Sequence, residues 1–170
     1  MIIGSLNIRG GGNISKRRRI IKIITSGKAE VFFIQESKVK SIDIVVIKIL
    51  WNCCDIGWSY SKAHGFSRVI ITIWKEQFVQ TSFSFSGKMY HGTKVEWNSD
   101  IFHLVNIYST CDILSKRKLW KESIEFKNKF TNGAWIMGGY FNAISKSSER
   151  KGRSLSNRIS ETREFEAFIF

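Results

Sequence analysis

Val31-Phe32-Phe33-Ile34-Gln35-Glu36 sets four apolar residues in a row and ends them on an amide and a carboxylate. A short unbroken run of this kind reads as a strand buried on both faces. Upstream, Ile2-Ile3-Gly4-Ser5-Leu6 before Asn7 reads the same way, and Gly10-Gly11-Gly12 then breaks the chain. Between the two runs, residues 14–26 place Ile14, Ile21 and Ile24 at near-helical spacing with Lys16 to Arg19 opposite. That pattern predicts an amphipathic helix with a basic face, closed by Gly27.

Working outward, residues 41–51 predict a second helix, although their Ile/Val content leaves a strand open. From 57 to 108 the chain changes character, with β-like runs at 58–62, 68–74, 78–85, 93–97 and 101–107. Turn signals separate them at His64-Gly65, Ser86-Gly87 and Asn98-Ser99-Asp100. A helical pattern returns over 115–130, with Leu119, Trp120, Ile124 and Phe130 apolar. Asn132-Gly133 is a turn and Ala134-Trp135-Ile136-Met137 a buried strand. The Ser-, Lys- and Arg-rich stretch 145–158 reads as a loop, and 160–170 as a helix. The order β-α-β-α, β meander, α-β predicts an α/β or α+β layered sandwich of two sheets in one domain.

Across 170 residues, 27 Lys and Arg stand against 14 Asp and Glu, a net charge of +13. With 43% hydrophobic residues this is not a disordered chain. The charge points to a polyanion, nucleic acid first. Its local groups are Lys16-Arg17-Arg18-Arg19, Lys116-Arg117-Lys118 and Arg150-Lys151 with Arg153. No apolar run approaches the ~18 residues of a membrane span, and the opening residues lack the basic stretch and apolar length of a signal peptide. No membrane partner and no obligate protein partner are expected. Cys53, Cys54 and Cys111 have neither disulfide nor zinc spacing and fit a reducing, intracellular compartment, the nucleus included.

The apolar runs end in a consistent set of polar residues: Asn7, Glu36, Asn106 with Tyr108, and Asn142. In layered α/β proteins ligands gather at the carboxyl ends of strands. One carboxylate among carboxamides and a phenol is a hard-cation donor set, of the kind that holds Mg²⁺ together with substrate phosphate.

Taken in order, Leu6-Asn7-Ile8-Arg9-Gly10, Phe33-Ile34-Gln35-Glu36-Ser37-Lys38, Val105-Asn106-Ile107-Tyr108 and Gly138-Gly139-Tyr140-Phe141-Asn142-Ala143 resemble the endonuclease/exonuclease/phosphatase (DNase I-like) superfamily. Within it, the chain is most similar to the apurinic-endonuclease-like domain of plant LINE-type retrotransposons. Cys111-Asp112, Lys116-Arg117-Lys118-Leu119-Trp120, Ile70-Ile71-Thr72-Ile73-Trp74 and Ser148-Glu149-Arg150-Lys151-Gly152 carry that likeness. It covers residues 2–170 and disfavours a phospholipid or inositol phosphate substrate. The resemblance implies a four-layer sandwich of two sheets flanked by helices, with the family's last strands outside this sequence. It implies Mg²⁺-dependent hydrolysis of DNA phosphodiesters, with one weakly held ion on Glu36. By the same resemblance Asn7 and Asn142 would orient phosphate and water, and Tyr108 would meet the scissile phosphate. Arg9, Lys38, Arg117 and Arg150 are the nucleic-acid-binding candidates.

The sequence also departs from that family. Where the family writes Gly-Asp-Phe-Asn, this chain has Gly139-Tyr140-Phe141-Asn142, so a phenol replaces the aspartate that activates water. No Ser-Asp-His-like segment occurs in the 170 residues, and His64, His91 and His103 fall in the meander, where they read as turn or strand residues. Proline is absent, against about eight at ordinary usage. Ser109-Thr110 and Ser147-Ser148 stand where the family commonly carries it. These losses predict a catalytically impaired endonuclease or, alternatively, a non-catalytic nucleic-acid-binding remnant of a decayed element.

Overall fold

The computed structural model describes residues 1–8, 14–37, 47–48, 51, 55–61, 69–149 and 159–170, the side chains of Ile14, Lys16, Arg17, Glu36, Ser37 and Ser147 excepted. The elements are β1 (Ile3–Asn7), α1 (Ile14–Ser26), β2 (Val31–Ser37), β3 (Ile56–Ser61), β4 (Val69–Lys75), β5 (Gln80–Ser86), β6 (Tyr90–Trp97), β7 (Asp100–Tyr108), α2 (Ile113–Lys129), β8 (Ala134–Tyr140), a 3₁₀ turn (Ser147–Glu149) and α3 (Ile159–Ile169). The strand and helix readings hold, with shifted ends, but Ala134–Met137, expected to be a buried strand, forms an edge strand on which Ala134 is exposed and 135–137 are only partly buried. Of the helix expected over 41–51 only 47, 48 and 51 are described; Ile47 and Trp51 are buried against the first sheet. The His64-Gly65 turn and the loop over 150–158 lie outside the described residues.

Two four-stranded sheets form, ordered β1-β2-β4-β3 and β5-β6-β7-β8. Each contains one parallel pair, β1 with β2 and β7 with β8, and is otherwise antiparallel. Helical crossovers supply the parallel pairs: α1 joins β1 to β2, and α2 joins β7 to β8. β6 and β7 meet through Asn98 and Ser99, whose φ of 51° and 67° fit the two-residue hairpin loop that matches strand twist.

Three apolar clusters follow from the strand alternation. Phe32, Ile34, Ile71 and Ile73 face outward from the first sheet and pack with Ile20 and Ile24 of α1. Val105 and Ile107 of the second sheet pack with Leu119 and Trp120 of α2 and Phe165 of α3. Between the sheets lie Val31, Phe33, Trp74, Val79, Val95 and Leu104. The result is an α/β sandwich with helices on the outer faces, as the sequence predicted.

Strand β8 extends three residues past its apolar run, through Gly138, Gly139 and Tyr140. The two glycines explain this. A Cβ on Gly139 would come within 2.2 Å of the Ile107 carbonyl oxygen, and φ there is +126°. A Cβ on Gly138 would lie 3.1 Å from the Phe33 ring. Their missing side chains let β8 run on until Tyr140 pairs with Tyr108.

Candidate functional site

The register brings the strand ends together. Asn7 pairs with Gln35 across β1 and β2, one residue before Glu36, while Tyr108 pairs with Tyr140 across β7 and β8. The two parallel pairs point the same way. Val31 and Ile3, early in the first pair, share a cluster with Phe102 and Ile136, early in the second. Further along, Gln35 of β2 reaches Asn106 of β7.

That cross-sheet contact is the floor of the site. The Gln35 amide donates to Asn106 Oδ1 at 2.8 Å and to Ser5 Oγ at 3.1 Å. Asn106 Nδ2 donates in turn to the Ile71 carbonyl at 2.8 Å. Asn106 is fully buried, so it braces the two sheets rather than facing a ligand. A buried carboxamide with both ends satisfied fixes geometry, because either end left open would be penalised.

Above it, Tyr108 and Tyr140 stack, with ring centroids 6.0 Å apart and planes 25° apart. Tyr140 Oη donates to Asn142 Oδ1 at 3.3 Å, and Asn142 Nδ2 donates to Cys111 Sγ at 2.9 Å. Asn142 has left-handed backbone, φ 53°, a conformation asparagine tolerates better than most residues. Lys116 Nζ donates to its carbonyl and to the Glu161 carboxylate. Residues 139–144 with Glu161, Thr162 and Phe165 line a cavity of about 410 Å³.

The structure thus brings Tyr108, Tyr140 and Asn142 into one constellation, with Asn7 at the end of β1. The Glu36 backbone lies near the end of β2, where the ladder to β4 shifts register between Ile34 and Ser37. Arg9, Lys38 and Arg150 lie outside the described residues. Arg117 is half exposed and forks onto Glu164, with both contacts at 2.6 Å. The Glu164 carboxylate holds the guanidinium above its ordinary range, and Arg117 in return holds Glu164 below the usual carboxylate range. His91 and His103 are buried in β6 and β7.

The sequence assigns no role in the site to three of its partners. Gln35 reads there only as the polar end of a run. Cys111 reads as structural or incidental, and its sulfur accepts from the Asn142 amide. Lys116 reads as part of a basic surface group, yet it is fully buried. One signal is available: Lys116 stands three and four residues before Leu119 and Trp120, on the apolar stripe of α2.

The oxygen donors at the strand ends suit a hard cation. With one candidate carboxylate, the remaining positions of a Mg²⁺ ion would fall to water and substrate phosphate. Among the described residues no group of three or more His, Cys, Asp or Glu lies together. Among the same residues, no helix is long and apolar enough to cross a membrane.

No protein-family profile and no curated protein sequence matches the chain. Solved structures do. The endonuclease domain of TRAS1, a telomere-specific non-LTR retrotransposon, is 16% identical with a TM-score of 0.66, over 95% of this chain and 69% of that one. The AP endonuclease LMAP from Leishmania major is 13% identical with a TM-score of 0.72, over 98% and 65%. Humanized D. rerio TDP2, carrying 14 mutations, is 15% identical with a TM-score of 0.63, over 82% and 61%. These neighbours belong to the endonuclease/exonuclease/phosphatase superfamily, and the chain has their DNase I-like fold. It spans 61% of the TDP2 chain.

Proposed function

We propose that this DNase I-like fold carries the site of a retrotransposon-type DNA endonuclease, one that keeps its nucleic-acid and metal contacts but is impaired in chemistry. The observation that carries the reading is the convergence of the strand ends. Two parallel pairs, bridged by Gln35 and Asn106, end on Asn7 with Gln35 and on Tyr108 with Tyr140, which supports a shared site for Asn7, Glu36, Tyr108 and Asn142.

In this reading Glu36 supplies the carboxylate to a Mg²⁺ ion. The ion, when bound, would act as Lewis acid and charge clamp on the phosphoryl oxygens. The Asn7 and Asn142 carboxamides donate to phosphate oxygens and orient water, and the Tyr108 phenol donates to the scissile phosphate. Water activation is where the chain falls short. Tyr140 occupies the place of the family aspartate, and its hydroxyl is engaged as a donor to Asn142. A phenol is protonated at neutral pH and is a poor base. Losing a positioned general base costs roughly 10²–10⁴-fold in rate.

The second reading, a nucleic-acid-binding remnant without chemistry, is favoured by the same tyrosine. Nicking of supercoiled plasmid separates the two when run with Mg²⁺ and with EDTA. Slow nicking that EDTA abolishes fits the impaired enzyme, while no nicking above the EDTA background fits the remnant. Both readings require duplex binding that weakens steeply with salt, because Lys and Arg release counterions from phosphates. Binding that stays flat from low to moderate salt would overturn both.

A further inference from the structure

We propose that Lys116 is a positioning residue: through a buried ion pair with Glu161 it holds Asn142 in the conformation the site needs. The inference rests on the strand-end reading above. Lys116 lies near the start of α2, and its side chain has no exposure at all. Its ammonium donates to the Glu161 carboxylate on α3 and to the Asn142 carbonyl. Glu161 alone would balance the charge. The Asn142 carbonyl is the additional contact, and it belongs to the site.

The start of α2 thereby grips Asn142 at both its backbone and its side chain. Cys111, one residue before the helix cap, accepts from Asn142 Nδ2 at 2.9 Å. Asp112 then caps the helix, accepting from the Ser115 amide at 2.8 Å. Lys116 follows and takes the Asn142 carbonyl. Asn142 lies past the end of β8 with φ at 53°, so the sheet ladder does not fix it. A buried ion pair is weak support for stability, since an apolar pair of similar volume commonly serves as well. What an apolar pair would not do is donate to a carbonyl, and that donation is the function assigned here to Lys116.

The test separates holding Asn142 from merely docking α3. In Lys116→Met/Glu161→Leu the helix still packs through Phe165, whose ring lies tilted against Trp120 and Phe141 with centroids 5.6 and 5.3 Å away. The double variant should fold, with far-UV circular dichroism and a thermal midpoint near the parent's. Its Asn142 side-chain amide protons, followed by ¹⁵N NMR, should lose protection about fivefold. Its Mg²⁺-dependent affinity for a short duplex DNA should fall about tenfold or more, as when residues that orient a metal site are removed. A second charge-neutral pair, Lys116→Met/Glu161→Gln, also removes the donor to the carbonyl and leaves no unpaired buried charge. It should also shift the Asn142 amide, and it decides the question if the first pair does not fold. Parental Asn142 amide signals in either folded double variant would overturn the proposal. If the parent shows no Mg²⁺-dependent DNA binding, the functional reading falls, while the NMR comparison still decides what Lys116 does.

Discussion

The space between the two sheets has two unlike halves. Where the parallel strands begin, Val31, Phe33, Trp74, Val95 and Leu104 fill it with carbon. Where they end, Gln35, Asn106, Ser5, Ser59 and His91 fill it with hydrogen-bonding groups. The same strands supply both halves, since Phe33 and Gln35 are two residues apart on one face of β2. The apolar half gains its stability from burial, which tolerates small displacements of one sheet against the other. The polar half gains little net stability from its hydrogen bonds. It does fix relative position, because a carboxamide bonded at both ends cannot slide. A site assembled from two sheets needs that property beneath it.

The comparison is tested most severely by Phe33→Ala. Phe33 is fully buried and touches both sheets, lying against Gly138 of β8. Removing its ring should cost about 3–5 kcal/mol, with the larger figure if the cavity does not collapse. Urea or guanidinium unfolding would measure it. A loss below about 1 kcal/mol would show that the apolar half is not what joins the sheets.

His91 sharpens the contrast through pH. It is 3% exposed, its Nε2 lies 2.6 Å from Ser59 Oγ, and burial lowers its pKa from 6.5 to about 4. At neutral pH both folded and unfolded chains carry it uncharged. As pH falls through 6.5 the unfolded chain takes up a proton that the folded chain refuses. Stability therefore declines down to about pH 4 and then levels off, by about 3 kcal/mol in total from this residue. Unfolding midpoints measured between pH 7 and pH 4 should show that slope, and His91→Gln should remove it. An identical slope in the variant would mean that the imidazole is not buried uncharged in the polar half.

Asn106→Leu probes the brace itself. The leucine restores volume but leaves the Gln35 amide without its 2.8 Å acceptor and the Ile71 carbonyl without its donor. The expected cost is about 2 kcal/mol. Unlike Phe33→Ala, the change should also weaken Mg²⁺-dependent duplex binding when measured well below the unfolding midpoint. Lowered stability with unchanged binding would reduce the polar half to ordinary core.

The two halves are unequally legible in the sequence. Apolar runs identify the strands because burial requires hydrophobicity, so Val31 to Ile34 and Ala134 to Met137 can be placed from their residues alone. Strand ends are harder, since hydrogen bonding there outlasts hydrophobicity. Gly138-Gly139-Tyr140 continues β8 because glycine lets the backbones approach, and no apolar pattern announces that. Tyr108 and Asn142 are visible as polar terminators and Tyr140 through the family motif, and the three do meet. Their supports are not visible. Cys111 lies 31 positions from Asn142, and Lys116 lies 45 from Glu161. Such contacts follow from how helices dock on a sheet, which depends on many residues at once.

The smallest expected effect belongs to the substitution that looks most restorative, Tyr140→Asp. It returns a carboxylate to the place where the family carries one. The aspartate side chain is too short to keep the stack on Tyr108 or the 3.3 Å hydrogen bond to Asn142 Oδ1. The gain of a base is therefore coupled to a looser partner. Among the described residues no histidine stands ready to work with it, since His91 and His103 are buried in their strands. Residues that act as one catalytic unit are strongly non-additive, so restoring one absent member need not recover its nominal share. Plasmid nicking by Tyr140→Asp in Mg²⁺ should rise less than about tenfold over the parent, far below the ~10²–10⁴-fold nominally owed to a general base. Combining Tyr140→Asp with a segment that carries the family's closing histidine and carboxylate should raise it much further. Strong, EDTA-sensitive nicking by the single substitution would show instead that the strand-end constellation is catalytically complete but for one residue, and that the polar half already holds it in working order.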